Sequence, residues 1–178
     1  MDTSSLKEIQ RFRQIWAWSL IIGMIAVLGW GVIQQIILGK PWGRNPASDA
    51  GLIVISLVPV GISILFLITR LETEINERGI YYRFIPFHFK RHKIEWATVG
   101  KAFVREYHPI REFGGWGIRF SFRGCKAYNV SGDYGLQLEF KNGKQLLIGT
   151  QKPKDIELLL QRLADKRIVD HGSFPTTG

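Results

Sequence analysis

Residues 15–38 read IWAWSLIIGMIAVLGWGVIQQIIL and residues 50–69 read AGLIVISLVPVGISILFLIT, with no Asp, Glu, Lys, Arg or His in either run. A helix rises 1.5 Å per residue, so about 20 apolar residues suffice to cross a hydrocarbon core. The spacing therefore predicts two transmembrane helices, at 15–38 and 50–69. The first run is too long for the apolar core of a secretory signal and ends in no small-residue cleavage pattern. It ends instead in Gln34-Gln35 and Gly39-Lys40-Pro41-Trp42, a helix stop followed by a cation and an aromatic. Trp16 and Trp18 suit the opposite headgroup layer. Residues 39–49 are too few to hold a domain and form the external loop of an antiparallel hairpin. Pro59 is tolerated in such a span as a kink, and Gly51, Ser56, Gly61 and Ser63 permit close helix approach. The spans contain none of the ionisable groups that transport pathways carry at membrane depth, so the hairpin reads as an anchor.

The basic residues orient it. Residues 1–14 hold Lys7, Arg11 and Arg13, the loop only Lys40 and Arg44, and the stretch after the second span Arg70, Arg78, Arg83, Lys90 and Arg91. Cations concentrate on the cytoplasmic side, which predicts a multi-pass protein of the cell membrane with both termini in the cytoplasm. Residues 1–14 are then a cytoplasmic N-terminal segment.

The chain has 178 residues and a formal charge of +9. From Arg70 onward 19 Lys and Arg stand against 12 Asp and Glu, a balance of +7. A basic domain beside a bilayer has the anionic lipid surface within reach, and the anchor argues against nucleic acid as partner. The lone cysteine, Cys125, allows no intrachain disulfide and reads as a packing residue.

Residues 70–168 read as the soluble domain. Turn residues break it into short strand-like segments, 71–76, 80–84, 101–107, 117–123, 126–130, 134–140 and 145–150, with a short irregular stretch at 94–99. Ile118, Phe120 and Phe122 alternate with Arg119, Ser121 and Arg123, and Asn142-Gly143 marks a hairpin turn. The period then changes. Ile156, Leu159, Leu160 and Leu163 recur at helical spacing after Pro153, which suits a first helical turn. The expectation is an α+β domain of about seven antiparallel strands in one curled sheet, capped by a C-terminal helix. The tail, 169–178, is small and polar and reads as disordered.

That order of elements is similar to the pleckstrin-homology (PH) fold. The segment Arg105-Glu106-Tyr107-His108-Pro109-Ile110-Arg111-Glu112-Phe113-Gly114-Gly115-Trp116-Gly117-Ile118-Arg119 resembles a motif of bacterial membrane proteins that carry a PH-like domain. Ala127-Tyr128-Asn129, Ser131-Gly132, Leu147-Ile148-Gly149-Thr150-Gln151 and the two-helix anchor look like the same family. The resemblance covers nearly the whole chain and implies a membrane-anchored PH-like module. It carries no residue-by-residue match to phosphoinositide ligands.

Gly114-Gly115-Trp116-Gly117 lets backbone amides approach an anion but lacks a P-loop ending, and a tight turn with a packed Trp is the favoured reading. His88 and His92 flank a loop without a zinc-helix Glu, and His108 with Glu106 or Glu112 lacks a nucleophile. No catalytic, cofactor-binding or metal-ligating set is assigned, and no cofactor is expected. The basic run Lys90-Arg91-His92-Lys93 follows Phe84, Ile85, Phe87 and Phe89. Lys90, Arg91 and Lys93 are the candidate lipid contacts; an ordinary solvated turn is the other reading. The expected function is a non-enzymatic interaction or assembly module whose partner is a protein or a second copy. A lipid-headgroup or small-ligand sensor is the alternative.

Overall fold

The computed structural model describes residues 5–121, 124–166 and 168. The expected tail and the end of the 117–123 segment, Phe122 and Arg123, lie outside the described residues. The chain divides into two units: residues 13–68, and residues 1–12 joined with 69–178.

The first unit is a helical hairpin. Helix α1 spans Ile15–Val32 and continues into a π-helical turn, Ile33–Ile37; helix α2 spans Asp49–Ile68. Both helices are long and apolar enough to cross a bilayer. Ala17, Ile21 and Gly31 on α1 and Leu52 and Pro59 on α2 are buried, and Trp18 meets Phe66 edge to face at 6.2 Å. Trp18, which the sequence suits to a headgroup layer, thus packs against α2. Gly31 is required by its neighbour: a Cβ there would lie 2.7 Å from the Trp42 ring. Pro59 removes one backbone donor, and the hydroxyls of Ser56 and Ser63 donate to the carbonyls of Leu52 and Pro59, each at 2.7 Å. The Gln35 amide closes the loop by donating to Ala47 O at 2.8 Å and Asp49 Oδ1 at 2.7 Å. Outward-facing Ile22, Val27, Val54, Leu57 and Leu67 remain exposed.

The second unit contains two sheets and a helix. Strands β1 (Ser5–Arg11), β2 (Arg70–Asn76), β3 (Gly79–Ile85) and β4 (His92–Ile94) form an antiparallel sheet in that order. Strands β5 (Val99–Glu106), β6 (Gly117–Phe120), β7 (Lys126–Asn129), β8 (Tyr134–Phe140) and β9 (Gln145–Thr150) form a second sheet in the order β5-β8-β9-β7-β6, with β7 parallel to β9. A short helix, α3 (Pro109–Phe113), bridges β5 and β6, and α4 (Pro153–Asp165) closes the unit. Leu71 and Ile75 of β2, Ile80 and Phe84 of β3, Leu136 and Leu138 of β8 and Ile148 of β9 share a core with Ile156, Leu159, Leu160 and Leu163 of α4.

Two expectations need correction. Residues 1–14 are not a segment apart from the domain, because all seven residues of β1 pair with β2, from Ser5↔Asn76 to Arg11↔Arg70. The domain is thus discontinuous, with the hairpin inserted between its first two strands. The strands also number nine among the described residues, in sheets of four and five, where one sheet of about seven was expected. The sheet-plus-helix class and the amphipathic C-terminal helix stand. Within these elements, the segment 94–99 resolves into β4, a 3₁₀ turn at Trp96–Thr98 and the start of β5.

Candidate lipid-facing loop

The β3–β4 connection, residues 86–91, owes its position to strand register. Arg11 pairs with Arg70, and Arg70 pairs with Ile85. The loop therefore leaves the sheet at the same end as both points where the chain passes into the hairpin. Phe84 and His88 clasp it at its base. The Phe84 N–H donates to His88 Nδ1 at 3.3 Å, and the His88 N–H donates to Phe84 O at 2.7 Å. Phe84 is buried, whereas Phe87 and Phe89 are 56% and 93% exposed. Rings this bare on a loop are a surface feature that water does not favour.

The three cations named from the sequence are exposed, but they do not act as one cluster. Arg91 pairs with Glu74 at 3.2 Å and lies 3.8 Å from Glu72, across the outer face of the sheet. Glu72 also meets Arg70 at 3.0 Å and Arg83 at 2.8 Å. Lys93 turns to Glu95 at 2.9 Å; the hydrogen bond raises the lysine's pKa and lowers the carboxylate's. Lys90 forms no ion pair among the described residues. Exposed pairs of this kind contribute little stability and exchange readily, so Arg91 and Lys93 keep part of their reach toward another anion.

Behind the loop lies a ring cluster that sequence spacing did not disclose. Tyr82 stacks on His92 at 5.2 Å and touches Tyr128 at 5.0 Å; His88 meets His92 at 4.4 Å and Tyr128 at 5.1 Å. Lys126 Nζ sits 4.8 Å from the Tyr128 ring and 5.4 Å from Phe120. Burial, then His92, then Lys126 lower the pKa of His88. Burial and Tyr128 push the Tyr82 phenol upward. The two histidines gather no third ligand: among the described residues no group of three or more His, Cys, Asp and Glu is suited to a metal.

Glu112, Cys125 and the 114–117 turn are engaged in internal bonding. Arg105 forks onto Glu112 at 2.8 and 3.3 Å, which holds that carboxyl below its ordinary pKa, and its Nε donates to Gln137 at 3.1 Å. Gln137 in turn lies 3.7 Å from the buried Cys125 thiol, whose pKa burial raises. Segment 114–117 is the tight turn: Gly114 caps α3 at φ 71°, the Gly117 N–H donates to Asn129 Oδ1 at 2.9 Å, and Trp116 donates to Gly132 O at 3.2 Å. Tyr107, its hydroxyl accepting from Asn129 at 3.0 Å, is pushed up to about 12 by burial.

No known family model matches this sequence, and no curated protein aligns significantly with it.

Proposed function

We propose that this chain is a membrane-anchored, PH-like interaction or assembly module without enzymatic activity. It sits in the cell membrane as a multi-pass protein with both termini in the cytoplasm, and its partner is another protein or a second copy. The observation that carries this reading is the discontinuity of the domain. Strand β1 ends at Arg11 and α1 begins at Ile15; α2 ends at Ile68 and β2 begins at Arg70. Connections of three residues and one residue leave the domain no leash, since an extended residue reaches about 3.5 Å. A domain joined to its anchor by two such short connections is suited to work at the bilayer. The PH-like aspect rests on two packed sheets with an amphipathic C-terminal helix in their common core, and on the resemblance of 105–119 and its companion segments. The non-enzymatic aspect is supported by the Arg105–Glu112–Gln137 and Tyr107–Asn129 networks, whose polar groups are spent on one another.

A reporter active only outside the cytoplasm tests the anchor. Fused at Pro46 it should give signal, and fused at Gly178 it should give none, because the flanking cations favour the inside. The reverse pattern would overturn the orientation. The interaction itself is tested by cross-linking in intact membranes, which should yield a discrete complex or homodimer; a monomer alone would count against it.

A second reading, lipid-headgroup contact through Lys90, Arg91 and Lys93, is favoured by the register Arg11↔Arg70↔Ile85, which puts the loop of Lys90 and Arg91 at the end of the sheet where the chain joins the hairpin; Lys93 lies beyond that loop, on β4 opposite Tyr81.

A further inference from the structure

We propose that the 86–91 loop and the paired residues Phe120 of β6 and Lys126 of β7 form one rim that inserts into anionic lipid, with Phe89 and Phe120 as the inserted rings and Lys90 and Lys126 as the cations at the headgroups. The proposal rests on the membrane reading above and extends it to a second sheet.

Four observations converge. The cross-strand neighbours Arg11, Arg70 and Ile85 place the loop at the end of the sheet from which both hairpin connections leave. The loop's two aromatics are exposed, and Phe120 on β6 is 68% exposed. The two elements are joined through Tyr128: His88 of the loop packs on one side of its surroundings at 5.1 Å, and Lys126 lies 4.8 Å from the same ring and 5.4 Å from Phe120. Charge supplies the fourth. Residues 85–94, 114–121 and 124–129 contain no Asp or Glu, yet they carry Lys90, Arg91, Lys93, Arg119 and Lys126. Bare rings beside Lys90 and Lys126, which form no ion pair among the described residues, match a surface with an apolar interior and an anionic face. A bilayer rich in anionic phospholipid has both properties. Nucleic acid offers stacking and phosphate, but no apolar depth for exposed rings to enter.

The test uses the full-length protein in nanodiscs. Cysteines at Phe89→Cys and Phe120→Cys take an environment-sensitive dye, and wild-type protein serves as the blank because Cys125 is only 5% exposed. Arg78→Cys is the distal control, in the turn at the other end of β2 and β3. Val58→Cys on α2 is the deep reference. Quenching by lipids spin-labelled near the headgroup should be roughly twofold or more stronger at 89 and 120 than at 78, as ring insertion of about 5–10 Å requires. It should fall when salt rises or when zwitterionic lipid replaces anionic lipid. If 89 and 120 match 78 while 58 is quenched by chain-labelled lipid, the rim is wrong and the anchor stands. If 58 also matches 78, the anchor reading fails and takes the rim with it. Quenching at 89 alone would remove Phe120 and Lys126 from the surface. A dye at 89 that is shielded but unquenched would mean that protein, not lipid, covers the loop.

Discussion

At the scale of the residue, His88 joins chemistry to architecture. Its Nδ1 accepts the Phe84 N–H, so the clasp requires the neutral ring. Tyr82, His92, Tyr128 and Lys126 face it, and none of them is an anion that would welcome a proton. The folded pKa is therefore below the ordinary value of about 6.5, and the unfolded chain binds more protons across the interval between them. Stability from this group is present above pH 6.5 and is lost as pH falls through the lowered folded value. The thermal midpoint of the full-length protein in nanodiscs should fall between pH 7.5 and pH 5, and His88→Asn, which keeps an acceptor without a proton to gain, should fall less. Equal decline in both would remove His88 as the cause. Glu8 shows a buried carboxyl group with both oxygens engaged. It is 6% exposed and accepts from Thr150 Oγ1 and the Gln151 N–H, both at 2.7 Å. Glu8→Ala strands both donors and should lower unfolding free energy by about 3 kcal/mol in a denaturant titration, because hydrogen bonds to charged groups contribute about 1.5–3 kcal/mol each. A change below ~1 kcal/mol would mean that water replaces the carboxylate at no cost.

At the scale of the element, the contrast between α4 and β1 explains what sequence could and could not disclose. Helix α4 was legible because Ile156, Leu159, Leu160 and Leu163 are apolar at helical spacing, and all four are buried. The apolar spans and the Asn142-Gly143 turn were legible for equally local reasons, with Gly143 at φ 79° between β8 and β9. Strand β1 was not. Its inward positions are Leu6, Glu8 and Gln10, so polar side chains point to the interior and the apolar Ile9 is 62% exposed. No alternation rule finds a strand whose inside is polar; its partners, Gly149 O and Thr150, are nearly 140 residues away. The division into two sheets was hidden likewise, because the β7–β9 parallel pairing is non-local. Helix α3, with Pro109 at its first turn and Gly114 at its end, carried both punctuation marks, but five residues are too few for a periodic signal. The candidate loop was found by its charge run, while the engagement of Arg91 by Glu72 and Glu74 and the nearness of Lys126 depend on register and could not be read from it. The burial of Leu160 makes a direct check on α4 as a core element. Leu160→Asp should abolish the cooperative thermal transition of the domain, since an unpaired carboxylate in an apolar core costs several kcal/mol, a large part of a small domain's stability. An unchanged midpoint would contradict the packing of that face.

At the scale of the whole molecule, the register Arg11↔Arg70 makes the anchor removable. Replacing residues 12–69 by an Asn-Gly turn would join β1 to β2 as an ordinary two-residue hairpin. That excised chain should be soluble, with a β-rich circular-dichroism spectrum and a cooperative melt. A fragment of residues 71–168 lacks β1 and leaves β2 as a bare edge; it should bind a hydrophobic dye or aggregate. Equal behaviour of the two would make β1 dispensable. The same insertion also sets an order of events during synthesis. Strand β1 leaves the ribosome first, yet its partner follows 58 residues later, across positions 12–69. Closing so long a loop carries an entropic cost that grows as about (3/2)RT ln n. Pairing of the two helices brings the ends of that loop together before β2 is made. Completion of the two-sheet domain thus becomes a report that the helical hairpin has formed, a quality check written into chain order, and the excised chain is the form of the protein released from it.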